Sequence, residues 1–363
     1  MDTKKLKIAV YSIALNEEQF VEQWYQSAKE ADYLLIADTG SSDRTVEIAK
    51  FLGINVVEIS IKPWRFDDAR NASLAVIPSD IDYCIALDLD EVLLPGWREE
   101  LKKSFKEKAT RPRYKYTWNW NPDGSPGLQY GGDKIHSRHG YRWKHPVHEV
   151  MMSDRIEQVE HWNNLEIHHH ADNSKPRSQY LDILAQSVKE DPHNDRNAFY
   201  HARELFFYGQ HKQSTEEFKR YLALPTAQWL PERAAAHRYL ALVDVDNAED
   251  WNLKAISQDP TRRESYVQTA EFYYNNQRWE ECLKYAELAL TFTEKPLNYF
   301  CEPWAWDFRS YDYAAIAAFW LGKTELALTY GEKALAVTPT DERLQRNLEF
   351  YKEKDGTNGS DSI

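Results

Sequence analysis

From Lys7 to about Leu94 two hydrophobic rhythms alternate. Lys7–Ala14 (KIAVYSIA), Tyr33–Ala37 (YLLIA), Ile54–Ile61 and Tyr83–Leu87 (YCIAL) are short, mostly apolar runs that predict buried β-strands. Between them, Glu18–Ala31 carries Phe20, Val21, Trp24 and Ala28 at helical spacing. Asp43 can cap a helix running through Leu52 that Gly53 ends, and Asp68–Ile77 also reads as helix. This alternation predicts a mainly parallel sheet covered by helices, with ligands at the carboxyl ends of the strands. There each strand runs into polar residues: Asn16-Glu17, Asp38, and Asp88-Leu89-Asp90. Residues 95–172 are less regular, with strand-like pieces at Arg113–Trp120 and Leu165–His170. They are expected to complete the same domain with antiparallel strands and long loops.

From about Arg177 the pattern becomes helical and repeats. Ser214, Ala248 and Cys282 recur every 34 residues, and Tyr221, Ala255 and Ala289 follow each by seven. Ala327, Ala334 and Pro339 form a last copy, and Pro260 follows Ala255 by the same five residues that separate Pro339 from Ala334. Small residues let paired helices approach, and the period resembles the tetratricopeptide repeat. The step from Cys282 to Ala327 is 45, so about eleven extra residues enter one repeat. They lie around Thr293–Arg309, with Tyr299, Phe300, Trp304, Trp306 and Phe308. Contact with the first domain or a substrate, and packing in the groove between repeats, both account for such an insert. The expected domains are 1–172 (α/β), 173–355 (an all-α helical solenoid) and a disordered tail, 356–363.

Composition narrows the field. Apolar residues make up 42%, which excludes a disordered chain. The net charge of −13 argues against broad electrostatic binding to nucleic acid or anionic membrane. No apolar run approaches the ~18–20 residues needed to span a bilayer. Met1–Lys7 is charged and leads straight into a strand, without the apolar core of a signal peptide. Cys84, Cys282 and Cys301 form neither a zinc pattern nor a disulfide framework, so the expected location is cytoplasmic. The 13 Trp, 22 Tyr and 14 Phe serve cores, but also carbohydrate and partner surfaces.

The sharpest chemistry is Asp88-Leu89-Asp90. Alternate residues leaving a strand point the same way, and two carboxylates suit Mg2+ or Mn2+ bound with a diphosphate. A solvated turn is the plain alternative. Asn16 and Glu17 can hold a base or ribose edge, or Asn16 can simply cap a helix. Asp38 can accept from a ribose hydroxyl, and Arg70 can pair with phosphate or lie exposed on its helix.

The ordered set SIALNEE, DTGSSDRT, DDARN and ALDLDE resembles the family 2 glycosyltransferases of the GT-A fold, over roughly residues 6–172. FYHARELFFYG, LPERAAAHRYLAL and KALAVTPTDERLQRNLEFY are similar to the tetratricopeptide domain attached to a subgroup of them. The resemblance implies a nucleotide-diphosphate-sugar donor held by Asn16, Glu17, Asp38 and Arg70. It also places Asp88 and Leu89 at the diphosphate, with Asp90 the more direct metal ligand. In many such enzymes a late histidine completes the metal site, and His170 or His168 matches it. On a strand, His168 and His170 share one face and His169 the other. Structural histidines at a domain junction are the alternative.

Inverting transfer, which the resemblance implies, needs a base for the acceptor proton, and Glu149 is the first choice with His148 the second. Trp118, Trp120 and Trp143 alternate with polar residues on the expected acceptor side, where Trp304 and Trp306 of the insert are further candidates. Core packing competes with that role for each. The expected function is therefore transfer of a sugar to a polypeptide or glycan, with a modified nucleic-acid base still open as acceptor. A protein partner in the repeat groove is also expected. The alternative is a non-catalytic nucleotide-sugar-binding adaptor with tetratricopeptide repeats.

Overall fold

In the computed structural model, which describes residues 5–160, 164–171 and 180–358, the chain divides into two compact units, Met1–Glu190 and Asp191–Ile363. The expected junction at 172–173, the helical start at Arg177 and residues 359–363 lie outside the described residues.

The first unit is built on β1 (Ile8–Ala14), β2 (Tyr33–Asp38), β3 (Asn55–Glu58) and β4 (Tyr83–Ala86). These pair in parallel in the order β3-β2-β1-β4. Burial on both faces explains why β1 and β4 read as unbroken apolar runs. Ile8, Val10, Ile36 and Ile85 face one cluster, which includes Trp24 and Trp97. Ala9, Tyr11, Leu35 and Cys84 face another, with Leu74 and Trp143. Helices α1 (Val21–Ala28), α2 (Thr45–Phe51) and α3 (Phe66–Val76) fill the crossovers. The apolar stripe of α1, Val21, Trp24 and Ala28, is buried, and the Trp24 indole donates to the Leu87 carbonyl at 3.0 Å.

Beyond β4 come β5 (Glu91–Leu93) and α4 (Trp97–Lys106). Periodicity did not predict α4, because Trp97, Leu101 and Phe105 are spread among seven polar neighbours in WREELKKSFK. Their spacing of four still forms a stripe, and Trp97 and Leu101 are fully buried. The strands that follow are β6 (Arg111–Pro112), β7 (Tyr114–Thr117), β8 (Gln129–Gly132) and β9 (Ile135–Ser137). Next come β10 (Tyr141–Lys144), β11 (Val150–Ser153), β12 (Val159–Glu160) and β13 (Glu166–His169). β9 joins the main sheet antiparallel to β4, while β5-β13-β7-β8 form a second sheet. β10 and β11 make a hairpin, and β12 pairs with β6. The antiparallel pairs expected here are present, but β13 runs parallel to β7. The unit ends with α5 (Tyr180–Glu190).

The second unit is all helical. Its helices are α6 (Asp195–Phe207), α7 (His211–Ala223), α8 (Leu230–Val243), α9 (Ala248–Gln258), α10 (Arg263–Asn275) and α11 (Trp279–Leu290), then α12 (Arg309–Trp320), α13 (Thr324–Val337) and α14 (Glu342–Asn358). Consecutive helices pack as hairpins. The repeating small positions Ser214, Ala248, Cys282 and Ala327 all lie buried on the second helix of a pair. The Ser214 hydroxyl reaches the Ala202 carbonyl of the facing helix at 2.9 Å. α14 buries Leu344, Leu348 and Tyr351 and continues through Asn358, so Gly356–Asn358 are helical rather than a loose tail.

The insert packs within this unit. Phe300 lies 5.4 Å from the Phe199 ring, and Tyr299 donates to Glu232 at 3.1 Å. Trp304 and Trp306 donate to Glu302 and Glu264, and the Arg238 and Arg263 guanidiniums lie over their rings. The segment packs across α6, α8 and α10, which is one of its two expected roles.

Candidate active site

The loops leaving β1 and β2 are stitched together. Asn16 takes a left-handed φ of 55°, and its side-chain oxygen accepts from the Ser42 N–H at 2.8 Å. The Glu17 N–H donates to the Thr45 hydroxyl, and Glu18 accepts from the Arg44 N–H. Asp43 accepts from the Thr45 and Glu18 N–H groups, so it caps the start of α2 as expected. Asp38 is buried and accepts from the N–H groups of Gly40 and Ser41, both at 3.0 Å. Gly40 has φ +116°, a conformation side-chain-bearing residues rarely adopt, which lets the chain fold back onto that carboxylate.

Sheet register brings these loops to the Asp88 turn. Ala14 pairs with Asp38, and Tyr11 pairs with Ala86. The ends of β2, β1 and β4 therefore share one edge, with Asp38 and Asp88 about 10 Å apart at two strand spacings.

Around Asp88 a charged cluster closes. Arg70 of α3 donates from Nη2 to Asp88 Oδ1 at 2.7 Å and from Nε to Glu149 Oε1 at 2.5 Å. Lys134, just before β9, donates to Asp88 Oδ2 at 2.6 Å and to Glu91 Oε1 at 3.0 Å. Glu91 is buried, receives the Tyr116 hydroxyl at 2.6 Å and accepts from the Asp88 N–H at 2.9 Å. Burial opposes ionisation of Asp88, but Arg70 and Lys134 outweigh it and hold the carboxyl well below its usual range. Burial pushes Glu91 the other way. The Arg70 guanidinium stands 5.1 Å over the Trp143 ring, and its Nη1 is buried without a hydrogen-bond partner.

Asp90 stands apart from that cluster. Its carboxylate is 28% exposed, and Oδ2 lies 3.2 Å from His169 Nε2. His169 Nδ1 is 2.8 Å from the Trp118 carbonyl, which can only accept, so Nδ1 carries a proton. Burial disfavours the charged ring, but Asp90 and the Trp118 carbonyl outweigh it and raise the His169 pKa above its ordinary value. The neutral ring would present a lone pair to a carboxylate. That oxygen and nitrogen donor set fits a divalent cation completed by phosphate and water. Among the described residues no group of three His, Cys, Asp or Glu is placed to hold a metal.

Of the histidine triplet, His169 is the one whose ring lies beside the Asp90 carboxylate. His169 reaches Asp90 because β13 pairs His169 with Glu91. His168 bonds Glu166 at 2.9 Å instead. His170 meets Asp90 through its backbone N–H, 2.7 Å from the Asp90 carbonyl, while its ring stacks on Trp120. Leu89, between the two aspartates, is buried in the core. Glu149 lies in the cluster, whereas His148 has φ 50° and its ring is 6.3 Å from Tyr180.

Trp118 is 39% exposed and stacks on His169 at 4.5 Å, beside Asp90. Trp143 is core rather than acceptor surface: its indole donates to the Tyr11 hydroxyl at 2.8 Å. Trp304 and Trp306 pack inside the second unit. Lys134 and His169 are the members that sequence reasoning missed. The odd and even faces of LEIHHH offered a signal for His169, but nothing local marks Lys134.

Residues 10–153 match the model of Glycosyl transferase family 2. An uncharacterized glycosyltransferase of Rickettsia bellii is 33% identical over 100 residues, 27% of this chain and 33% of the relative. One of Rickettsia typhi is 32% identical over a stretch of the same length. The matched stretch is thus about a third of the length of these curated relatives. Among solved structures, MamA is 17% identical over 45% of this chain and 83% of that one, with a TM-score of 0.35. A tetratricopeptide protein of Thermus thermophilus is 17% identical over 47% and 88%, with a TM-score of 0.32. The match to the glycosyl transferase family 2 model thus falls within the α/β unit, which is followed in the chain by an all-helical one.

Proposed function

We propose that the chain is a metal-dependent, inverting glycosyltransferase that uses a nucleotide-diphosphate sugar. The observation that carries this is the shared edge: Asn16, Asp38, Asp88 and Asp90 stand at the ends of adjacent strands, with Arg70 beneath them. Asn16, Glu17 and Asp38 hold the nucleoside. Asp90 and His169 would hold Mn2+ or Mg2+, with His170 alongside, and the cation supplies charge neutralisation at the leaving diphosphate. Arg70 Nη1 is the spare donor assigned to that diphosphate.

In the transfer, the acceptor oxygen bonds to the anomeric carbon as the bond to the diphosphate breaks. The bonding pair leaves with the nucleoside diphosphate, and the acceptor proton goes to Glu149. Arg70 occupies Glu149 Oε1, which turns Oε2 into the accepting oxygen. Trp118, stacked on His169, offers a flat face for an acceptor sugar or peptide. A polypeptide or glycan acceptor and a cytoplasmic location complete the reading. No helix among the described residues is long and apolar enough to cross a membrane.

The test is release of nucleoside diphosphate from a panel of sugar nucleotides with Mn2+. Turnover with at least one donor is expected. Tight nucleotide binding without turnover on any acceptor would favour the non-catalytic adaptor, and no binding at all would remove both.

A further inference from the structure

Asp88 and Asp90 are two residues apart, yet their surroundings differ. Both oxygens of Asp88 are taken by cations of the chain, Arg70 at 2.7 Å and Lys134 at 2.6 Å. Among the described residues, the Asp90 carboxylate pairs with the His169 ring. We propose that Lys134 is a positioning residue: with Arg70 it clamps Asp88 out of the coordination shell of the divalent cation, so that Asp90 is the one aspartate of the turn that binds metal. The inference rests on the metal-dependent reading above and assigns Lys134 a role within it.

The fold builds the clamp deliberately. β9 pairs antiparallel with β4, Ile85 opposite Ile135, and the Ala86 N–H donates to the Lys134 carbonyl at 3.1 Å. Lys134 is thereby fixed beside the last residues of β4. Glu91 takes the same ammonium at 3.0 Å and the Asp88 N–H at 2.9 Å, and Tyr116 locks Glu91 in turn. The ammonium is thus held between two carboxylates and has little freedom to swing away. Each Asp88 oxygen keeps a second lone pair, but the two cations already bonded to the carboxylate repel a divalent cation that approaches it, which disfavours Asp88 as a ligand. The charge balance follows. Without Lys134 the turn would offer a divalent cation two acidic groups and one more negative charge, which strengthens cation binding and weakens binding of the anionic donor.

The test is Mn2+ binding to the full chain without donor, read by electron paramagnetic resonance. Lys134→Met is expected to bind Mn2+ about tenfold more tightly, the direction set by one added negative charge. Loss of folding cannot produce tightening. Lys134→Arg keeps the wild-type affinity. The charge-conserving double variant Lys134→Met with Asp88→Asn removes the ammonium together with the carboxylate it clamps, while Glu91 keeps its Tyr116 bond, so it guards against a misfolded single variant. It is expected to bind Mn2+ within about threefold of wild type, because removing an ion pair leaves the net charge unchanged. Asp90→Asn loses Mn2+ binding. Should the double variant lose Mn2+ as steeply as Asp90→Asn, Asp88 is a ligand and the clamp is overturned while the metal-dependent reading stands. If Lys134→Met folds and leaves the affinity unchanged, the clamp is likewise overturned. Mn2+ binding that ignores Asp90→Asn overturns both.

Discussion

Buried charge is handled differently in the two units. At the strand ends, Arg70, Asp88, Glu91, Lys134 and Glu149 come from separate elements and converge on one turn. In the helical unit, Glu232 and Glu264 of the solenoid and Glu302 of the insert bond to Tyr299, Trp306, Trp304 and Arg238. The first network leaves the Asp90 carboxylate partly exposed and the buried Arg70 Nη1 without a partner. The second ties an eleven-residue surplus onto the solenoid that holds it. Unpartnered buried atoms occur in both, at Arg70 Nη1 and at Glu264 Oε2, so what separates them is the partly exposed Asp90 carboxylate beside the first. The comparison therefore predicts activity effects in the first unit and stability effects in the second.

The largest effect belongs to Asp90. Asp90→Ala should abolish Mn2+-supported release of nucleoside diphosphate and leave urea unfolding unchanged, because the carboxylate is 28% exposed and contacts one ring. Wild-type turnover in that variant would remove Asp90 from the metal site. Next is Glu149→Gln, which should keep donor binding and slow transfer by about 10²–10⁴-fold, the usual contribution of a positioned base. Titrating donor affinity and transfer rate together separates the two. Unchanged transfer would move the base elsewhere.

Arg70 should couple the two kinds of effect. Arg70→Ala removes the partner of Asp88 and Glu149 at once and exposes a gap under Trp143. Breaking one side of a buried ion pair costs about 3–5 kcal/mol. The midpoint of urea unfolding should therefore fall for the first unit, and donor binding should weaken with it. A variant that binds donor normally at lowered stability would show that Arg70 is structural only, which would make the two networks alike.

These contrasts explain what was legible in the sequence. The parallel strands, their polar ends and the repeat positions could be read because each is a local period: buried runs, strand-end carboxylates, small residues 34 apart. Lys134 could not, because its partner is 46 residues away and only the β4–β9 pairing brings them together. The histidine triplet was half legible. Alternation separates His169 from His168 and His170, but the pairing of β13 with β5 decides which face meets Asp90. For Trp143 both an acceptor-side and a core role stand open in the sequence, because its neighbours Arg142 and Lys144 are polar. That alternation is one face of the β10 strand, and the apolar face turns inward to Tyr11. Residues 142 and 144 show the exposed half of the same pattern.

The smallest effect sharpens the second unit. Glu232 is buried, and burial pushes its carboxyl up to about 7, against the Tyr299 hydrogen bond that favours ionisation. A carboxyl whose folded value lies above its unfolded one binds more protons when folded. Its contribution to stability is full below the unfolded value near 4.5 and is lost as pH rises to about 7. Glu217 runs the opposite way: burial opposes its ionisation, but Arg220 and His201 hold it down at about 2, so its contribution is lost only in acid. Glu232→Gln keeps a neutral hydrogen-bonding group at all pH values. It should therefore be close to wild type at pH 4 and relatively more stable at pH 8, by a margin on the order of 1–3 kcal/mol. Urea unfolding at the two pH values reads the difference directly, and nucleotide binding should not change. Equal margins at pH 4 and pH 8 would mean that Glu232 is ionised in the folded chain, with Tyr299 holding a charge beneath the insert.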